Sequence, residues 1–201
     1  MAISIDQIKE LREETGAGVL DCRKALEQSN GDFARAVEYL REKGLVKAAK
    51  RADREASEGI VELYSHGGGR VGVMVEVNCE TDFVARSETF RTFAHEVALQ
   101  VAAAAPRYIK PEEVPAEVVA EERQKAQAYA RAEGKPEAVI ERIVQGRLDK
   151  FMDEACLLRQ PYIRDEAVTI EKLLHEKIGS IGENIVIRRF ARWELGETQA
   201  S

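Results

Sequence analysis

The chain has 201 residues, with 30 lysines and arginines against 36 aspartates and glutamates, and its net charge of −6 argues against a broad cationic surface for nucleic acid. Charged residues make up 33 % and hydrophobic residues 44 %, the balance of a folded chain, and no apolar run approaches the ~20 residues of a membrane span. The start, Met1-Ala2-Ile3-Ser4-Ile5-Asp6, lacks the basic stretch and apolar block of a secretory signal and points to the cytoplasm. Cys22, Cys79 and Cys156 are odd in number and far apart, which excludes a disulfide framework and a CxxC metal site and suits small buried hydrophobes.

The first ~45 residues read as a small module of three helices, near the lower limit for independent folding. Ser4 and Gln7 have capping-box spacing, and Ile5, Ile8 and Leu11 supply one apolar face. Gly16 and Gly18 break that helix. A second runs from about Val19 to Ser29 with Leu20, Ala25 and Leu26 inward, and Asn30-Gly31 ends it. Asp32 caps a third helix, with Phe33, Val37 and Leu40 on one side and Gly44 as its stop. Leu45 to Ser57 reads as an exposed connecting helix. From Arg41 to Arg54, six basic residues outweigh Glu42 and Asp53 to leave a local charge of +4.

The period then changes. Gly59 to Tyr64 and Arg70 to Val77 are β-branched runs joined by His66-Gly67-Gly68-Gly69, a hairpin signal. A long helix is predicted from Thr81 to Ala105, ended by Pro106. Further helices follow from Ala116 to Glu133, Pro136 to Gln145, Arg147 to Leu157 and, after a break at Gln160-Pro161-Tyr162, Thr169 to Ile178. Asn184 to Trp193 reads as a final strand able to pair with the hairpin.

Signatures of enzyme chemistry are missing. His66-Gly67-Gly68-Gly69 has no G-x-S-x-G elbow to serve as an oxyanion loop, and no Gly-Lys-Ser/Thr follows to make a phosphate loop. His95-Glu96 and His175-Glu176 each lack the second histidine of HExxH. The sequence is not read as an enzyme.

Five blocks in order carry a resemblance: Leu11 to Gly18, Asp21 to Leu26, Lys47 to Ala52, Glu76 to Ala85, and Ile181 to Arg189. Together they resemble the elongation factor Ts family, in its short form with one copy of the core. The resemblance implies an α+β fold. Residues 1–45 would form a ubiquitin-associated-like three-helix module and 46–57 a basic helical linker. Residues 58–201 would form a dimerising core, a three-stranded antiparallel sheet packed with helices. It also implies no cofactor, no metal and no nucleotide site. The implied partner is elongation factor Tu, GDP-bound and nucleotide-free; the implied action is nucleotide exchange as a homodimer.

The same resemblance assigns site residues. Thr81, Asp82, Phe83 and Val84 begin a helix whose Asp-Phe pair meets the GTPase near its Mg²⁺ site. A rigid ring there buries a large area at small entropic cost. Read from residue chemistry alone, Thr81 or Asp82 caps that helix and Phe83 packs the local core. Ile181-Gly182-Glu183-Asn184 is a second implied contact, with Ile181 and Gly182 at the partner; it reads equally as a turn feeding the last strand. Arg23, Lys24 and Arg51 match basic positions facing the partner, and His66 matches a hairpin histidine that reaches the GTPase's phosphate-binding loop. Each of these is otherwise a solvated surface group. Phe190 and Trp193 are candidates for the dimer interface. Two rivals stand beside this reading: an adaptor without exchange activity, and RNA binding through the Arg41 to Arg54 cluster.

Overall fold

The computed structural model describes residues Ile3 to Glu197; the expected leader-free start at Met1-Ala2 and the expected domain ends at 1–2 and 198–201 lie outside them. The chain divides into two compact units, one formed by residues up to Leu99 together with those from Glu171 on, the other by Gln100–Ile170.

The first unit opens with α1 (Ile5–Thr15), α2 (Val19–Gln28) and α3 (Phe33–Ala49). Ser4 and Gln7 form the expected reciprocal cap, and Asp32 accepts the Arg35 amide at 3.0 Å. Leu11, Cys22, Ala25, Leu26 and Ala36 make a fully buried centre on which Ile8, Phe33, Val37 and Leu40 pack. Two expected core residues lie outside it: Leu20 is 81 % exposed and Ile5 is 73 % exposed. The phase of α2 explains the first. Cys22, Ala25, Leu26 and Ser29 share the inward face at helical spacing, and Leu20, two residues from Cys22, falls on the opposite side.

The connecting helix expected from Leu45 is not a separate element. α3 continues through Gly44 to Ala49, the chain then turns over Lys50 to Arg54, and the boundary expected at residue 45 falls inside the helix. Gly44 is not a stop because it is the place where α3 meets α8 (Ile170–Ile181). A Cβ on Gly179 would lie 2.9 Å from the Gly44 Cα, so the two backbones touch. Arg41 of α3 reaches Glu176 of α8 at 2.8 Å beside that crossing.

β1 (Glu58–His66), β2 (Val71–Cys79) and β5 (Ile185–Glu194) form the antiparallel sheet, with β2 central. One face of the sheet carries Ile60, Val73, Val75, Val77 and Ile187 inward; on β1 it also carries Glu62, whose carboxylate lies 2.8 Å from Nδ1 of His95 on α5 (Glu88–Ala104). The other face bears Val61, Leu63, Met74 and Trp193, all exposed. A register shift between Glu76 and Val77 makes Arg188 an extra residue of β5. Its guanidinium turns to Asn78 Oδ1 at 3.0 Å and to the Ala56 carbonyl.

The long helix expected from Thr81 is two helices, α4 (Asp82–Arg86) and α5. Ser87 separates them: its extended backbone ends the first, its hydroxyl donates to the Val84 carbonyl at 2.8 Å, and the same oxygen accepts the Phe90 amide.

The second unit holds a helical hairpin of α6 (Ala116–Ala132) and α7 (Glu137–Ala155), packed through Ala126, Ala130, Ile140, Val144 and Leu148. The two helices expected around Gly146 are one. A glycine costs a helix interior about 1 kcal/mol, and buried Val144 and Leu148 on either side hold it. β3 (Pro161–Tyr162) and β4 (Asp165–Thr169) pair here, and Gln160 beside them is buried and donates to the Ala104 and Glu154 carbonyls. Alternation too short to register hid this pair in the sequence.

Candidate functional site

Strand β2 ends at Cys79 and the chain enters α4 within three residues. Thr81 is the cap, its hydroxyl accepting the Val84 amide at 3.4 Å, and Ala85 is buried beneath the turn. Asp82 bridges Arg86 on the solvent side at 3.0 Å. Phe83 stands out: its ring is 83 % exposed, against an inward position for Phe90 and Phe93 of the next helix. Of the two readings of this residue, local core packing is therefore removed. Val84 is half-buried.

The turn after α8 comes to the same place. Ile181 is its last, half-buried residue, and Gly182 follows with φ +90°, a conformation that L side chains rarely adopt. Glu183 then reaches across to the start of α4, where one carboxylate oxygen accepts the Glu80 and Thr81 amides at 3.1 Å and the other accepts the Thr81 hydroxyl at 2.6 Å. Glu80 returns the contact by accepting the Asn184 amide at 2.6 Å, while pairing with Arg54 at 3.4 Å. Asn184 itself is buried and its side-chain amide donates to the Arg54 carbonyl at 2.8 Å. Two segments that the resemblance assigned to one partner are thus physically joined.

Cys79 lies under this turn. Its thiol donates to the Thr81 carbonyl at 3.2 Å, and burial, followed by the nearby Glu183 charge, pushes its pKa up to about 11. Cys22 and Cys156 are likewise buried, and burial raises their pKa values too, as small apolar residues require.

The remaining expected site residues are dispersed. Arg51 is spent inside the chain: its guanidinium donates to the Gly182 carbonyl at 2.9 Å and to the Lys47 carbonyl at 3.1 Å, tying the end of α3 to the α8 turn. Arg23 pairs with Glu27 along the exposed side of α2, where Lys24 is exposed beside it. His66 ends β1 at the opposite end of the hairpin from Glu58, roughly 26 Å away by strand rise, with its ring nitrogen 2.9 Å from the Tyr64 hydroxyl. Nothing in the sequence singles out Glu80, and Glu183 and Asn184, expected within the second contact, are not expected there to act inside the chain; each acts on a segment about a hundred positions away. Among the described residues no three His, Cys, Asp or Glu side chains converge so as to hold a metal ion, and no helix is long and apolar enough to cross a membrane.

The site is an exposed aromatic ring on a braced turn. Residues 6–197 match the family described as Elongation factor TS, which places the chain among the translation elongation factors. Proteins named Elongation factor Ts are similar along nearly its whole length: that of Caldanaerobacter subterraneus subsp. tengcongensis is 60 % identical over 195 residues, covering 97 % of this chain and 98 % of the relative. Those of Carboxydothermus hydrogenoformans and Moorella thermoacetica are 57 % and 56 % identical, each covering 97 % of this chain and 90 % and 96 % of the relative. The chain belongs to the elongation factor Ts family.

Proposed function

We propose that the protein is a guanine-nucleotide exchange factor of translation elongation, acting in the cytoplasm without cofactor or covalent chemistry. It binds elongation factor Tu·GDP, disturbs the Mg²⁺ and phosphate site, releases GDP and stabilises the empty GTPase until GTP displaces it. One observation carries the reading: Phe83, a large ring that folding leaves 83 % exposed, sits on a turn braced from two sides. An exposed aromatic has no folding value; on rigid elements it is a wedge whose burial awaits a partner.

Linkage sets the size of the task. GDP held at nanomolar affinity represents about 12 kcal/mol. Whatever factor the protein takes from GDP binding, GDP takes from the protein's own binding. Separated contacts supply the interface this demands: Arg23 and Lys24 on the module, Thr81 to Val84 with Ile181 and Gly182 at the tip, and His66 at the hairpin end. Arg51 contributes through the Gly182 turn it holds.

The protein works as a homodimer in this reading. The open sheet face, with Val61, Leu63, Met74 and Trp193, is the surface for the second copy, whereas Phe190 pairs with Val75 toward the inner face. Leu63→Lys is expected to yield a folded monomer in sedimentation; an unchanged dimer would remove this face from the interface.

The deciding measurement is stopped-flow release of a fluorescent GDP from elongation factor Tu. The protein is expected to accelerate release, and Phe83→Ala to lose about 30-fold or more of the stimulation, the loss of one hot spot of about 2 kcal/mol. Binding without acceleration would establish the adaptor reading instead.

A further inference from the structure

On the exchange reading above, we infer that Glu183 is the positioning residue of the Phe83 wedge. α4 has five residues, too few to hold a helix by its own hydrogen bonds. The Phe83 ring, being exposed, makes little packing of its own, so its direction is set by the backbone at Thr81 and Asp82. That backbone is fixed from outside α4. The Glu183 carboxylate takes all three donors the segment offers it, the Glu80 amide, the Thr81 amide and the Thr81 hydroxyl. Charge-assisted bonds are stronger than neutral ones, and these three end on the two oxygens of one carboxylate, the hydroxyl bond being the shortest at 2.6 Å. The hydroxyl so held is also the acceptor for the Val84 amide, one residue past the ring.

The brace is reciprocal. Glu80 accepts the Asn184 amide, so each segment contributes one carboxylate and receives the other. The Glu183 carboxylate oxygens are both engaged inside the chain, and the residue therefore acts on the partner through the angle of Phe83. Displacement of a reactive or wedging group by about 1 Å can cost on the order of a hundredfold in rate. A neutral amide in place of the carboxylate removes the charge and turns one acceptor oxygen into a donor facing donors.

The experiment is a double-mutant cycle on the full chain, read by stopped-flow release of fluorescent GDP from elongation factor Tu, with Glu183→Gln, Phe83→Ala and the double variant. Glu183→Gln is expected to lower the maximal release rate roughly tenfold and the half-saturating concentration by less than about threefold in either direction, since the outlying contacts are untouched. In the Phe83→Ala background the same change should do nothing further. Thr81→Val removes one donor from the same carboxylate and repeats the test if Glu183→Gln does not fold by circular dichroism. An unchanged maximal rate for Glu183→Gln, or an equal loss with and without Phe83, overturns the inference while leaving the exchange reading standing. Full stimulation by Phe83→Ala itself overturns the wedge, and the inference with it.

Discussion

At the tip, Glu183 and the Glu80 amide, 103 positions apart in the chain, are joined by a carboxylate accepting from backbone and hydroxyl donors. Between α3 and α8 the joint is made instead by missing side chains, with Gly44 and Gly179 letting two helix backbones touch. Both joints tie segments far apart in sequence, yet they differ in what they tolerate. A hydrogen-bonded brace leaves its neighbour free to be exposed, so Phe83 can face solvent while its backbone is fixed. A close-packed joint has no such freedom, and at the glycine contact what it tolerates is set by volume, with the Arg41–Glu176 pair beside it.

The comparison is broken most severely by adding volume at the helix joint. Gly179→Ala places a methyl within 2.9 Å of the Gly44 Cα, and backbone must shift to accept it. A net loss of about 1–3 kcal/mol is expected, read as a thermal midpoint lowered by several degrees. Gly44→Ala makes the control, because its added Cβ meets the His175 carbonyl oxygen at an ordinary 3.5 Å. Its midpoint should hold or rise, by up to about 1 kcal/mol of helix propensity. Equal losses from the two would show that the joint is not set by volume.

A smaller effect sharpens the same contrast within the module. Lys43 and then Lys47 hydrogen-bond the Asp21 carboxylate and hold it below the ordinary aspartate range. Stability from this group is present above the unfolded-state value near 3.9 and is lost as pH falls through the lower folded-state value. The pairs are partly solvated, so Asp21→Asn should cost less than about 1 kcal/mol at neutral pH and flatten the acid limb of a denaturation curve. The smallest effect belongs to Leu20. Being 81 % exposed, Leu20→Ser should move stability by no more than about 0.5 kcal/mol in a urea titration. A larger loss would return it to the core.

How much of this was legible depended on the reach of each interaction. Ser4 with Gln7 acts over three residues and spacing located it, while Asp32, placed as a cap by its residue type, accepts the amide three residues on. The hairpin and the final strand announced themselves by β-branched alternation, and the first two helices of the module by their breaks. What failed was local inference applied to long-range contacts. Gly44 looked like a stop because nothing in its neighbourhood reveals Gly179, and Arg51 looked like a free cation because Gly182 lies 131 positions away. Phe83 is the sharpest case: composition assigns a phenylalanine to a core, and resemblance was needed to turn it outward. Resemblance then pointed to Ile181-Gly182-Glu183-Asn184 as a contact, but not to Glu80 and Glu183 as carboxylates that each brace the other's segment.

The thiol beneath the tip has a chemical consequence of its own. With its pKa near 11, Cys79 carries the nucleophilic anion in only about one molecule in ten thousand at neutral pH. Peroxide and alkylating agents attack that anion, so the turn that carries Phe83 is chemically quiet although a sulfur atom lies directly below it. Its capacity should outlast an oxidative challenge that silences proteins with acidic, accessible thiols.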